Sequence, residues 1–346
     1  MKILLPPFTR ACLIIVVTLS ALVAFLRYSE YSRQYADVTK PVVQPDTDEH
    51  RSPPHLPQLR DIQVPYLVLV PSLSIIYPWV ILTSGFIEQT VTGFVVTLAT
   101  LAYAGRYCER VWGGKQLAIF VAILCAVPNF LCLLWIVFVY AVTGSSDVLL
   151  SNINGGVAIQ TGFLVAFKQL VPEHSIVLFR GMFKAQVKHI VLPIVVAYSL
   201  VGVIIRRTPL AVLPWMGFLT SWIYLRFYRV TYIESILPLS SSLTQADSEQ
   251  SKIRGDASDT FAFSKFFHPQ SVRAVVIVIS DVVFAVLVAL KICTPFSTDE
   301  VEASNLQASL RTSRSAGSVR DTEADRRRTL AMKVLEERLE VQRSGD

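Results

Sequence analysis

The stretch "NINGGVAIQTGF" (Asn152 to Phe163) sets two asparagines, a glutamine and three glycines inside an apolar run long enough to enter a bilayer. Amides buried in lipid cost free energy unless other groups answer their hydrogen bonds. One chemistry for such a knot is nucleophilic hydrolysis. A serine in the glycine turn would attack once a nearby base took its proton, and preorganised donors would hold the oxyanion. The turn Asn154 to Ala158 contains no serine, and Ser151 lies outside it as a helix-end residue. Thr220 and Ser221, the non-phenolic hydroxyls of the last apolar stretch, have no histidine beside them, and His189 sits at a span edge next to Lys188. Without that chemistry the same residues make a packing seam. Gly155, Gly156 and Gly162 admit a close neighbour, Asn154 and Gln160 hydrogen-bond across it, and Gly217 with Ser221 forms the opposite small-residue face.

These residues need helices to carry them, and the composition supplies helices in a membrane. The chain has 346 residues, 52% hydrophobic, with a mean hydropathy of +0.49. Its apolar residues come in blocks of about 20, the length that crosses a bilayer core. The fold class expected is an all-α polytopic membrane protein. A net charge of +6 and a pI near 9.1 match an excess of basic residues in cytoplasmic loops. No basic, aromatic-interleaved groove points to nucleic acid. Cys12, Cys108, Cys125, Cys132 and Cys293 form no CxxC pair, which argues against a disulfide framework, a zinc site or any other metal or cofactor site.

Six spans are expected, at Ala11 to Leu26, Ser84 to Ala104, Gln116 to Val142, Val148 to Leu170, His189 to Ile205 and Leu210 to Phe227. Between the first two lies a proline-rich segment ending in "VPYLVLVPSLSIIYPWVIL", whose Pro65, Pro71 and Pro78 suit an interface-hugging loop better than a straight span. Arg106, Arg110 and Lys115, then Arg180, Lys184 and Lys188, then Arg226 and Arg229 mark cytosolic loops and put both termini in the cytosol. Glu88 and Glu109, costly near lipid, are expected to pair with arginines such as Arg106. The organisation is a first span (1–28), a luminal segment and membrane-associated loop (29–83), a membrane core of five spans (84–228) and a cytosolic tail (229–346). In the tail, "SSSLTQADSEQSKIRGDASD" reads as a disordered linker. Residues 274–290, near the length of a span and interrupted by Asp281, read as a helix lying in the interface or as a seventh span, the interfacial helix being preferred. Residues 323–342 are expected to form an amphipathic helix whose Leu330, Val334, Leu335 and Leu339 share one face, either a plain solvated helix or, on the sharper reading, a partner-binding surface.

"YPWVILTSGFIEQ" followed by "GRYCERVWGGKQ" resembles the rhomboid superfamily. Trp79, Thr83 and Phe86 hold its positions before the second span, and Gly105, Arg106, Glu109 and Gly113 hold those after it. Val80 replaces the motif's arginine and Glu88 its histidine; Gly93 and Thr97 stand where active members carry the histidine and asparagine that support the oxyanion. The resemblance implies a rhomboid-like six-helix bundle without the protease residues. "VAFKQL", "SWIYLRFY", "FAFSKFF", "KIC" and "ADRRRTLAMKVLEERL" are similar, in order, to stretches of the transmembrane protein 115 family of Golgi pseudoproteases. That likeness implies a multi-pass Golgi protein supporting retrograde Golgi-to-ER traffic and glycosylation. It also implies a cytosolic Golgi tethering complex as partner, beside the lipid bilayer that the apolar composition requires, and self-association stays open. The competing readings are a membrane transporter, which would show an inverted repeat or charged path, and an intramembrane protease with an atypical dyad.

Overall fold

The computed structural model describes residues 5–39, 62, 64–74, 76–171, 175–178, 183–233, 251–267, 270–289, 296–298, 300–309 and 311. The partner-binding helix expected at Leu330, Val334, Leu335 and Leu339 lies outside them. The architecture is helical, and six of the helices fall on the six apolar stretches. They are α1 (Pro7–Thr39), α3 (Val91–Trp112), α4 (Gly114–Thr143), α5 (Val157–Leu170), α6 (Val187–Ile204) and α7 (Thr208–Tyr228), with the short α2 (Val80–Thr83) before α3. By length and apolarity α1, α4 and α7 can each cross a membrane alone. The pair Val80–Phe86 and Val91–Trp112, bent by 90°, makes a fourth candidate, while α5 and residues Ile190–Ile204 of α6 are shorter apolar helices.

The first compact unit comprises Met1–Ala166 and Pro193–Tyr224. α1 is longer than the apolar block at its centre, running 33 residues to Thr39. The helix thus continues past residue 28, where the first span is expected to end: "RYSEYSRQYADVT" is polar but has no glycine or proline to stop a helix. α4 packs along α7, and α1 lies against the π turn Leu101–Gly105 inside α3. At the core, Phe120 meets Trp112 edge-to-face at 5.2 Å and Phe163 at 5.6 Å. Lipid is as apolar as these rings, so such contacts stabilise through dispersion and shape rather than by removing surface from water. The proline-rich loop is only partly at the surface: Val68, Leu69 and Val70 are buried, while Tyr66, Ile76 and Trp79 are exposed. Cys12, Cys125 and Cys132 are buried free thiols, and Cys108 is buried as well.

The second unit comprises Phe167–Leu192 and Leu225–Asp346. It adds two short antiparallel hairpins to an otherwise helical chain: β1 (Ser175–Leu178) with β2 (Phe183–Gln186), and β3 (Val230–Ile233) with β4 (Ser251–Arg254). β4 overturns part of the expected linker, since Ser251–Arg254 pair with β3 and Asp256, Ala257 and Ser258 are buried. Gly255 turns there with φ +73, letting its N–H reach the Arg229 carbonyl at 2.6 Å. Asp256 accepts from Gln169 Nε2 at 2.8 Å and from Arg311 at 3.0 Å, while Arg226 donates to the Asp256 and Ser258 carbonyls, each at 2.7 Å. Burial alone would raise the Asp256 carboxyl, but the Arg311 charge and hydrogen bonds from Ser258 and Gln169 hold it below the usual carboxylate range. "FAFSKFF" forms two tight turns, and its Phe266 ring lies 3.1 Å under Lys168 Nζ, a cation–π contact. α8 (Gln270–Ala289) follows, with Val275, Val278, Ile279 and Val282 exposed.

Candidate functional site

The site is built around the break between α2 and α3. Asn129 on α4 donates its amide to the Ile81 carbonyl at 2.9 Å and to Ser84 Oγ at 3.0 Å, pinning the turn before the break. Thr90 caps α3 by accepting from Gly93 N at 3.3 Å. Between these anchors the chain is extended, and Glu88 is delivered inward. Its own N–H donates to Ser20 Oγ of α1 at 3.0 Å.

The glycine turn meets Glu88 from the other side. Ile153 N–H pairs with the Leu69 carbonyl at 2.9 Å, and Gly155 N–H with the Ser84 carbonyl at 3.2 Å. Gly155 has φ +106, a conformation that side chains disfavour, and a Cβ there would stand 3.1 Å from Glu88 Oε2. Gly156 N–H then donates to Glu88 Oε1 at 2.6 Å, one residue before α5 begins. Helix starts leave N–H groups without intrahelical partners and carry partial positive charge, so Glu88 acts as a cap supplied from a distant segment.

A line of donors ends on the same oxygen. Tyr198 donates to Gln160 Oε1, Gln160 Nε2 to Thr97 Oγ1 at 2.8 Å, and Thr97 Oγ1 to Glu88 Oε1 at 2.7 Å. Every dipole points toward the carboxylate, so each bond polarises the next. The donors converge on one carboxyl oxygen.

Glu109 makes the second such cap. Phe8 N–H donates to its Oε1 at 3.0 Å, and Thr9 donates its N–H at 2.7 Å and its hydroxyl at 2.6 Å to Oε2. The arginine pairing expected for Glu88 and Glu109 is thus absent among the described residues. In a low-dielectric interior each carboxylate takes neutral donors that are already fixed in place, which spares a second desolvated charge.

The other motif residues hold backbone. Trp79 Nε1 donates to the Tyr66 carbonyl at 3.1 Å and Thr83 Oγ1 to the Leu67 carbonyl at 3.2 Å, fastening the loop. The Phe86 carbonyl lies 3.5 Å from Ser20 Oγ, and a Cβ on Gly105 would come within 3.3 Å of Thr9. Gly113 ends α3 with φ +84, and Arg106 is half-buried. Along the seam, Gly217 lies against Ala158 and Thr161, where a Cβ would meet the Ala158 backbone at 2.7 Å. Ser221 Oγ donates to the Gly162 carbonyl at 2.9 Å, and Gly162 faces Leu124 of α4. Asn154 forms no hydrogen bond among the described residues and instead lines a cleft. Ser151 Oγ donates to the Val148 carbonyl at 2.7 Å.

Tyr198, Ser20 and Asn129 were not singled out by sequence reasoning, and Thr97 was noted only as the residue standing where active members support the oxyanion. A polar residue inside an apolar run was the available signal for Asn129. The cleft, of about 920 Å³, is bounded by α3, the glycine turn and α6, with Glu88, Asn152, Gln160 and Tyr198 inside and Arg206 and Arg207 among its walls. Among the described residues no His, Cys, Asp and Glu cluster could hold a metal.

The comparisons with known proteins concern nearly the whole chain. A family model described as "Eukaryotic integral membrane protein (DUF1751)" matches residues 10–341. Rhomboid-like protein 19 of Arabidopsis thaliana is 30% identical over 287 residues, 81% of this chain and 82% of the relative. The Transmembrane protein 115 homolog of Saccharomyces cerevisiae is 32% identical over 289 residues, 80% and 81% of the two chains. Human Transmembrane protein 115 is 30% identical over 264 residues, 75% of this chain and 67% of its own length. No solved structure matches.

Proposed function

Because the chain belongs to the eukaryotic integral membrane protein family that includes Transmembrane protein 115 and its yeast and plant relatives, we propose that it is a non-catalytic, rhomboid-like scaffold of the Golgi membrane. On this reading it supports retrograde Golgi-to-ER vesicle transport and normal glycosylation, with both termini in the cytosol. The observation that carries it is the occupation of the glycine turn. Gly156 N–H, which could have answered a reaction oxyanion, is held by the Glu88 carboxylate at 2.6 Å. A fixed negative charge there repels the oxyanion that acyl transfer must build. Ser221, the hydroxyl nearest in type to a nucleophile, is spent on the Gly162 carbonyl.

The interaction function belongs to the tail, where Leu330, Val334, Leu335 and Leu339 would bind a cytosolic tethering complex, α8 would lie in the membrane interface, and copies would self-associate through exposed helix faces. Proximity labelling from the C-terminus in cells tests the reading. Changing Leu335 and Leu339 together to Asp is expected to leave Golgi residence intact and reduce recovery of tethering factors by ten-fold or more, since each buried leucine is worth about 1.5–3 kcal/mol. Unchanged recovery, or labelling of purified protein by a fluorophosphonate probe that Ser151→Ala abolishes, would overturn it.

A further inference from the structure

The cleft in the first unit is polar in two opposite senses, and neither sense is answered by the protein. Glu88 spends Oε1 on two donors, while Oε2 takes no hydrogen bond among the described residues. Asn152, which lines the same cleft, has a buried Oδ1 with no hydrogen-bond partner. A buried acceptor without a donor is costly, so Asn152 Oδ1, in a cleft that Glu88 also lines with an uncommitted oxygen, calls for a ligand rich in N–H or O–H groups. Arg206 and Arg207 contribute the opposite character. Both are exposed, and neither guanidinium has a carboxylate partner among the described residues. They are set for an anion with several oxygens, such as a phosphate. A third part of the wall is apolar and open: Val201 is 43% exposed and Ile205 54%.

We propose that the cleft binds the headgroup of an aminophospholipid of the phosphatidylethanolamine or phosphatidylserine kind. The primary ammonium donates to Glu88 Oε2 and Asn152 Oδ1, Arg206 and Arg207 hold the phosphodiester, and the acyl chains leave along the Val201 and Ile205 wall. Choline lipids fit worse, because a trimethylammonium has no N–H to donate. Phosphatidic acid fits worse, because it lacks the amine. The site is a further property of the membrane core and does not depend on the tail reading above.

The test uses the purified full chain in detergent, followed by native mass spectrometry during titration with dioleoyl phosphatidylethanolamine, phosphatidylcholine, phosphatidic acid or diacylglycerol. The ethanolamine lipid is expected to bind about ten-fold more tightly than the others, the worth of one or two charge-assisted hydrogen bonds. Arg206→Gln with Arg207→Gln, both exposed, is expected to weaken ethanolamine lipid and phosphatidic acid alike by about ten-fold without changing the thermal profile. Asn152→Leu, which removes an acceptor that has no partner, is expected to fold normally and to narrow the preference for ethanolamine over choline. Equal retention of choline and ethanolamine lipids overturns the proposal, as does indifference to the arginine changes. Displacement by soluble glycerophosphoethanolamine at equal concentration removes the role of the apolar wall and overturns the lipid assignment. Retention of a lysine-bearing apolar helical peptide with no lipid uptake would assign the cleft to a protein segment instead.

Discussion

Glu109 and Glu88 solve the same problem with different completeness. Each caps a helix that begins far away in sequence, α1 in one case and α5 in the other. Glu109 uses both oxygens on three donors and is closed. Glu88 uses one oxygen on two donors and turns the other toward a cleft. A satisfied carboxylate in a membrane core is architecture, whereas a half-satisfied one keeps capacity for a ligand. Asp256, in the second unit, gives a third solution: its partner is a cation, with the Arg311 side chain 20% exposed and the Asp256 side chain 4%.

The sharpest way to break the contrast is at the glycine that Glu88 caps. A Cβ on Gly156 would stand 2.7 Å from Thr97. Gly156→Leu is expected to cost roughly 2–4 kcal/mol, overpacking plus a lost cap, and to lower the protein's abundance and displace it from its wild-type membrane. Wild-type abundance and location of this variant would refute the seam. Next comes Glu109→Ala, which strips three hydrogen bonds at about 1 kcal/mol each, for about 3 kcal/mol in total. The buried thiols Cys12, Cys108, Cys125 and Cys132 make a thiol-reactive fluorophore the readout of melting in the first unit. A melting point within error of wild type would show that the cap is dispensable.

Asp256→Asn is expected to cost about 2 kcal/mol, the worth of a hydrogen bond to a charged group, and its signature is acid dependence. The folded carboxyl lies below its ordinary value, so its stabilisation is complete above the unfolded value near 4 and is lost as pH falls through the folded value. Hydrogen exchange at Asp256 to Ser258 should show the gap between wild type and Asp256→Asn closing below about pH 4. A gap that stays constant through the acid limb would remove the Arg311 charge from the account. Glu88→Gln should be the mildest, under about 1 kcal/mol, because the amide oxygen still accepts from Gly156 and Thr97. A loss as large as that of Glu109→Ala would mean that the cleft-facing oxygen is structural after all.

Much of the frame was legible because lipid writes it plainly. Apolar runs located the six helices, and the prolines at 65, 71 and 78 marked a segment that does not form a straight span. The motif residues Trp79, Thr83 and Glu109 were visible as types, but their partners were not. Glu109 reaches Thr9 across 100 residues and Glu88 reaches Gly156 across 68, and no local periodicity encodes such a meeting. Assigning arginines to both carboxylates came from counting charges, when the answering groups were backbone N–H groups and two threonine hydroxyls. β4 was hidden for a related reason. "SKIRGD" is polar and short, and its order comes from pairing with Val230–Ile233 and from Gln169 and Arg311 around Asp256.

The cap on α1 also imposes an order of events in time. Thr9 leaves the ribosome 100 residues before the glutamate that secures it. At about 5–20 residues per second that interval is on the order of 5–20 s. During it the first helix must rest in the membrane with its opening turn unsecured, exposed to the insertion machinery. Completion of α3 is then the moment at which the N-terminus becomes fixed, and a nascent chain arrested before Glu109 should still be able to slide or withdraw its first helix.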